Sequence, residues 1–256
     1  MCIDDQPGER DMMSFLGKRA LVTGASRGIG RALVAGLVER GATVAASARS
    51  RAALEQTRAM TDDPERVVIC PGDLRQAGDV QAIASAALAL GEIDILMNVA
   101  GVWHDSERKY QGPVVADTPA DEIDEVLDVG LRGAFQLTRL VLPSMIRATA
   151  GKIVFLSCGF AGPAEAVGWV HYYVANRAID ALVAGLAAEL RPHNIQVNAV
   201  APWFVATEAV KTFYPDQAAA ALAPAAVAEM ALFLASPGAD HLSGQTIELR
   251  SKDDRC

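Results

Sequence analysis

The sequence is short of cysteine: there are 4 in 256 residues. Cys2, Cys70, Cys158 and Cys256 are scattered, with neither disulfide-framework nor zinc-ligand spacing. That excludes a disulfide-stapled scaffold and a cysteine metal centre, and it fits a reducing cytoplasm. Positive charge is also scarce. The 23 Lys and Arg against 31 Asp and Glu leave a net charge of −8, which argues against a nucleic-acid or anionic-membrane partner. No apolar run approaches the length of a membrane span. Residues 1–16 are polar and acidic and lack the apolar core of a secretory signal. They read as a flexible tail before one domain, residues 17–256. No repeat, low-complexity segment or second-domain boundary interrupts the rest.

What is there is apolar and alternating. Hydrophobic residues make up 51% of the chain, which suits one α/β domain with a full core. Strand patterns cover about 20–23, 43–48, 66–70, 93–98, 152–157, 195–201 and 246–249. Helical patterns cover 28–38, 51–60, 80–90, 120–148, 170–190 and 225–234. Gly130 and Pro143 are expected kinks in the long one. Two loops, 102–117 and 202–223, are the long connections, the second with some helix. Repeated β–α alternation predicts a doubly wound parallel sheet of about seven strands with helices on both faces.

The sheet is organised around Ala20-Leu21-Val22-Thr23-Gly24-Ala25-Ser26-Arg27-Gly28-Ile29-Gly30. This reads as a strand, a glycine-rich turn and the start of a helix. Its glycines permit positive φ and close approach of a ligand's phosphates to the backbone. The helix start offers unpaired N–H groups and a partial positive charge to an anion. A turn without a ligand is the plainer reading. The spacing is G-x-x-x-G-x-G after a Thr, where the common dinucleotide fingerprint is G-x-G-x-x-G. It resembles the nucleotide loop of the short-chain dehydrogenase/reductase family. The resemblance runs over roughly residues 17–250 and implies a single-domain Rossmann-type fold with a nicotinamide cofactor.

The resemblance places Gly24, Ser26, Arg27, Gly28, Ile29 and Gly30 at the cofactor. Ligands of such sheets lie at the carboxyl ends of the strands, where an acid after the second strand usually holds the ribose 2′-OH and an Arg accommodates a 2′-phosphate. No acid lies between Val44 and Arg51, whereas Arg49 is in place. Arg27 adds a second guanidinium, a group that pairs bidentately with phosphate. Each alone could be a solvated surface charge; together they point to NADP(H). Asp73 and Leu74 match the family's adenine contacts. Asn98-Val99-Ala100-Gly101 is similar to its Asn-Asn-Ala-Gly. Pro202 and Thr207 match its nicotinamide loop, and Ser243-Gly244-Gln245 the start of its last strand.

The catalytic pattern departs from the family's tetrad of Asn, Ser, Tyr and Lys. The Asn position is Gly130 and the Ser position is Cys158, with Gly159 as runner-up and Ser157 expected on the strand's other side. Two tyrosines compete, because Tyr172 with Asn176 and Tyr173 with Arg177 are both i, i+4 pairs on a helix face. Ungapped counting back from Val197-Asn198-Ala199-Val200-Ala201-Pro202 selects Tyr172 and puts Asn176 at the Lys position. The other choice needs a deletion that rotates the helix face by about 100°. Without a cation, Tyr stays near a pKa of about 10 or higher. Two further departures are Pro202-Trp203 for the family's Pro-Gly, and Arg250-Ser251-Lys252 for its terminal Asp-Gly-Gly.

The resemblance implies reduction of a ketone, an imine or an activated alkene, with no metal. It leaves open a non-redox cyclisation, elimination or isomerisation on the same fold, or a non-catalytic NADP-binding protein. A halohydrin dehalogenase-like lyase would pair Tyr with Arg at i+4, but the intact glycine loop opposes it. Trp103, His104, Tyr110, Trp169, Trp203, Phe204, Phe213 and Tyr214 suggest a bulky apolar or aromatic small-molecule substrate. His104 and His171 are candidate stand-in proton donors. Family members are usually homodimers or homotetramers, packed through the two long helices.

Overall fold

A computed structural model describes residues 13–104, 114–159 and 166–251. Its centre is a 7-stranded parallel sheet in the order β3-β2-β1-β4-β5-β6-β7. The strands are β1 (Arg19–Thr23), β2 (Thr43–Ala48), β3 (Val67–Pro71), β4 (Ile95–Asn98), β5 (Gly151–Leu156), β6 (Ile195–Pro202) and β7 (Thr246–Leu249). The chain builds outward from β1 to β3, then crosses back to β4 on β1's other side. This reversal opens a crevice at the carboxyl ends of β1 and β4, where such sheets bind ligands.

The inner strands are apolar throughout because both faces are covered. Their alternation shows in which layer each side chain joins. Val22, Ala46, Met97 and Val154 face α1 (Gly28–Glu39) and α9 (Pro224–Ala235). Leu21, Ala45, Leu96 and Phe155 face α3 (Ala77–Leu88), α5 (Ala134–Ala148) and α6 (Val170–Leu190). α2 (Arg51–Ala59) flanks β2 and β3, and α4 (Ala120–Leu127) packs on α6. Two short helices, α7 (Glu208–Phe213) and α8 (Pro215–Ala218), fill the loop after β6.

Three details differ from the sequence reading. The expected kink at Gly130 is a six-residue π-helical turn, Asp128–Gly133, between α4 and α5. Such turns commonly occur at functional sites. Pro143 lies inside α5 without ending it. Phe15, assigned to a loose tail, is 1% exposed in the core, and Met13 packs against the same layer. A buried Phe contributes about 1.5–3 kcal/mol, enough to anchor the segment, so the folded domain begins ahead of residue 17.

Candidate functional site

The crevice is a cleft of about 950 Å³, the size of a cofactor site. At one end, β1 hands over to the glycine loop. Gly24 and Gly28 have φ of +67° and +54°, the left-handed region that glycine favours. A Cβ on Gly30 would lie 2.7 Å from the carbonyl carbon of Gly24, and one on Gly24 would lie 3.0 Å from the backbone N of Ala100. Thr23 explains its place before the loop. Its hydroxyl accepts hydrogen bonds from the N–H groups of Val99 (3.0 Å) and Ala100 (3.1 Å), tying the ends of β1 and β4 together. At the N-cap of α1, Arg27 is extended and makes no side-chain capping bond, and the first turn has no acid. The helix N-terminus therefore presents its N–H groups to an anion. This narrow, glycine-lined cradle fits a dinucleotide's pyrophosphate.

Of the residues assigned to the cofactor, Gly24, Ser26, Arg27, Gly28, Ile29, Gly30, Arg49, Asp73, Leu74, Ala100, Gly101, Pro202 and Thr207 all border the cleft. Asn98 does not. It is buried and donates to the Thr138 hydroxyl on α5 at 3.1 Å, so it joins strand to helix. Asp73 is held by Arg75 at 2.6 Å, and that hydrogen bond keeps its carboxyl below the usual range. Arg49 pairs with Glu125 on α4 at 3.4 Å. The Thr207 hydroxyl caps α7 at Val210 N–H.

At the other end, Tyr172 and Cys158 both border the cleft, and their side chains share a hydrogen bond. Burial pushes the Tyr172 phenol well above its usual pKa, Cys158 adds to the shift, and a hydrogen bond with Asn176 partly offsets it. The Asn176 amide also donates to the Tyr172 carbonyl at 2.8 Å. Tyr173 does not border the cleft. Arg177 lies over the Tyr173 ring at 5.7 Å, donates to the Cys158 carbonyl at 2.6 Å and pairs with Asp180 at 3.2 Å. The candidate tyrosine and cation at i+4 are thus brought together outside the cleft lining. Ser157 was expected on the far side of β5; the strand ends at Leu156, and Ser157 borders the cleft while donating to the Asn176 carbonyl at 3.4 Å. Gly130 stands in the π turn, where an added Cβ would meet nothing within 4 Å.

The aromatic residues pack chiefly on one another. Trp103 stacks on Trp169 (5.8 Å) and Tyr214 (5.5 Å), and Trp169 meets the Tyr172 ring edge-on at 6.2 Å. His104 borders the cleft with Nε2 3.3 Å from the Tyr214 hydroxyl, whose pKa burial pushes up to about 12. Tyr110 lies outside the described residues. His171 points away from the cleft, its Nε2 3.1 Å from buried Glu122 on α4. Trp203 joins a separate group: Arg250 lies over its ring at 4.2 Å, and its N–H donates to Glu248. The two departures at Pro202-Trp203 and the terminal Arg250-Ser251 are therefore one packed unit. Sequence reasoning noted Thr23 only as the residue before the glycine loop and missed Arg75 and Glu125, which carry no local signal.

The sequence model for the short chain dehydrogenases matches residues 18–218. The chain belongs to this family. A 3-oxoacyl-[acyl-carrier-protein] reductase of Vibrio harveyi is 31% identical over 250 residues, covering 93% of this chain and 97% of its own. The crystal structure of a 3-oxoacyl-[acyl-carrier protein] reductase from Brucella melitensis superposes with a TM-score of 0.82 at 31% identity, covering 97% and 96% of the two chains. A 7α-hydroxysteroid dehydrogenase complexed with NADH and 7-oxo glycochenodeoxycholic acid gives 0.83 at 27% identity, covering 94% and 96%. The chain is accordingly an oxidoreductase of short-chain dehydrogenase type. Among the described residues no helix is long and apolar enough to cross a membrane.

Proposed function

We propose that this dehydrogenase is an NADP(H)-dependent reductase of a ketone on a bulky, apolar or aromatic small molecule. The carrying observation is that the half-buried Tyr172, beside Cys158, shares one cleft with the glycine loop, Arg27 and Arg49. The relatives' ligands and substrates support the class: 3-oxoacyl and 7-oxo compounds are ketones. Bound nicotinamide dinucleotide supplies the hydride. Gly24, Gly28, Gly30 and the α1 N-terminus would hold its pyrophosphate, and Arg27 with Arg49 would favour a 2′-phosphate. Thr207 and Pro202 would lie at the nicotinamide.

Tyr172 holds the proton that a developing alkoxide takes up, help worth about 10²–10⁴-fold. Its raised pKa keeps it protonated at neutral pH, which suits donation and slows deprotonation for the reverse direction. Cys158 borders the same space as a weaker donor than the family's Ser. The aromatic group around Trp103 walls the mouth. An imine or activated alkene, whose protonation needs less help, fits the same pocket.

The proposal includes a homodimer or homotetramer in the cytoplasm. A half-exposed Phe135 on α5 and Val174 on α6 suit a subunit contact, and the thiols of Cys70 and Cys158, not joined in disulfides, suit a reducing compartment. The test is an assay of NADPH consumption over ketones, imines and activated alkenes. We expect turnover of at least one bulky ketone. NADPH binding without turnover of any of them sinks the reductase reading. The raised pKa of Tyr172 also favours a second reading, a non-redox step in which the phenol only donates a hydrogen bond; substrate conversion without net NADPH consumption would support it.

A further inference from the structure

The acid missing from the end of β2 is supplied by another element. Glu125, on α4, lies 76 residues from Arg49 in sequence. Its carboxylate sits 3.4 Å from Arg49 Nη1 and 3.6 Å from Arg75 Nη1. The Glu125 side chain is 17% exposed, whereas that of Arg49 is 60% exposed. Arg75 in turn grips Asp73. Two carboxylates and two guanidiniums thus alternate at the carboxyl ends of β2 and β3, and their charges cancel. Arg49 and Asp73 border the cleft, so this is where the adenosine ribose would lie.

A carboxylate here acts in two ways. It competes with an incoming 2′-phosphate for the guanidiniums and repels its charge, and it can accept a hydrogen bond from a 2′-hydroxyl. We propose that Glu125 is the cofactor-specificity residue that narrows the preference for NADPH over NADH, by holding Arg49 and Arg75 as an internal anion in place of the 2′-phosphate. This rests on the reading of the cleft as a nicotinamide dinucleotide site. A 2′-phosphate binds by displacing Glu125 from Arg49. A 2′-hydroxyl binds with the pair intact.

The test is titration of NADPH and NADH into the wild type, Glu125→Gln, Arg49→Met and the double variant. Glu125→Gln should tighten NADPH about two- to fivefold, the size of a solvent-screened charge pair, and leave NADH unchanged or weaker. In the Arg49→Met background the same change should move the NADPH/NADH ratio by less than about twofold. Glu125→Asp, which keeps the charge and shortens its reach, should fall between Gln and wild type; it serves as the test if Glu125→Gln does not fold. A ratio unchanged by Glu125→Gln, or NADPH weakened by it, overturns the role of Glu125 while the cofactor reading stands. A wild type that binds neither nucleotide overturns both.

Discussion

The two ends of the cleft are made of different material. The nucleotide end is largely backbone: Gly24 and Gly28 at positive φ, Gly30 against the Gly24 carbonyl, and the open N-terminus of α1. The proposed acid–base end is side chains: Tyr172 and Cys158 border the cleft, and Asn176 hydrogen-bonds Tyr172. Backbone geometry is shared with the fold, so changing it damages both. Side chains at the acid–base end can be exchanged with the fold intact. The Gly130 position is open space, Cys158 lies two residues past the end of β5, and the Asn176 amide turns to the carbonyl four residues back. The proposed acid–base end can therefore change in sequence without disturbing the glycine loop.

The largest effect should come from breaking the backbone end. Gly30→Val would drive side-chain carbons into the Gly24 carbonyl, an overpacking cost on the order of 3 kcal/mol. We expect NADPH binding to be lost and the melting temperature to fall in a thermal scan. Wild-type affinity in this variant would break the comparison, because the loop would then not be defined by its glycines.

At the other end the effects should be catalytic. Tyr172→Phe should lower kcat by about 10²–10⁴-fold with NADPH affinity unchanged, whereas Tyr173→Phe should stay within about twofold of wild type. Equal losses in the two variants would mean that the wrong tyrosine has been placed in the cleft. The pH dependence sharpens this. A phenol with a raised pKa stays protonated through the neutral range, so reduction should be flat from about pH 6 to pH 9. Alcohol oxidation needs the phenolate and should still be climbing at about pH 10. Asn176→Lys places a cation beside the phenol and lowers its pKa, so the oxidation limb should move to lower pH. An unmoved limb would show that Tyr172 is not the titrating group.

The fold was legible in the sequence because its signals are local. Short strand patterns alternating with helical ones marked β1 to β7, and β2, β7 and α6 fall at the expected boundaries. The glycine loop was legible for the same reason, since positive φ is a property of single residues. What the sequence hid is which way side chains face once elements meet. Asn98 turns to Thr138 on α5, and His171 turns to Glu122 on α4. The aromatic residues read as a substrate pocket stack largely on each other. Glu125 and Arg49 lie 76 residues apart, and no periodicity links them. Phe15 lies in the apolar stretch Met12-Met13-Ser14-Phe15-Leu16 at the end of a polar, acidic segment, and only the finished core shows that it is buried.

The smallest expected effect tests where the acid–base end stops. His171 is next to Tyr172 in sequence but one helical step round α6, buried against Glu122. Burial lowers the His171 pKa below its usual value, and Glu122 only partly opposes this. The folded chain therefore resists a proton that the unfolded chain accepts near pH 6.5. Stability contributed by the neutral ring is present above that pH and is lost as pH falls towards and below the depressed folded value. His171→Gln removes the titrating group, so the decline in unfolding free energy from urea titrations between pH 7 and pH 5.5 should become shallower, by less than about 1 kcal/mol. Because the ring faces α4, kcat at pH 7 should stay within about twofold of wild type. A loss as large as that of Tyr172→Phe would carry the acid–base end across α6 to Glu122, and the boundary between the two kinds of material would have to be redrawn along α4.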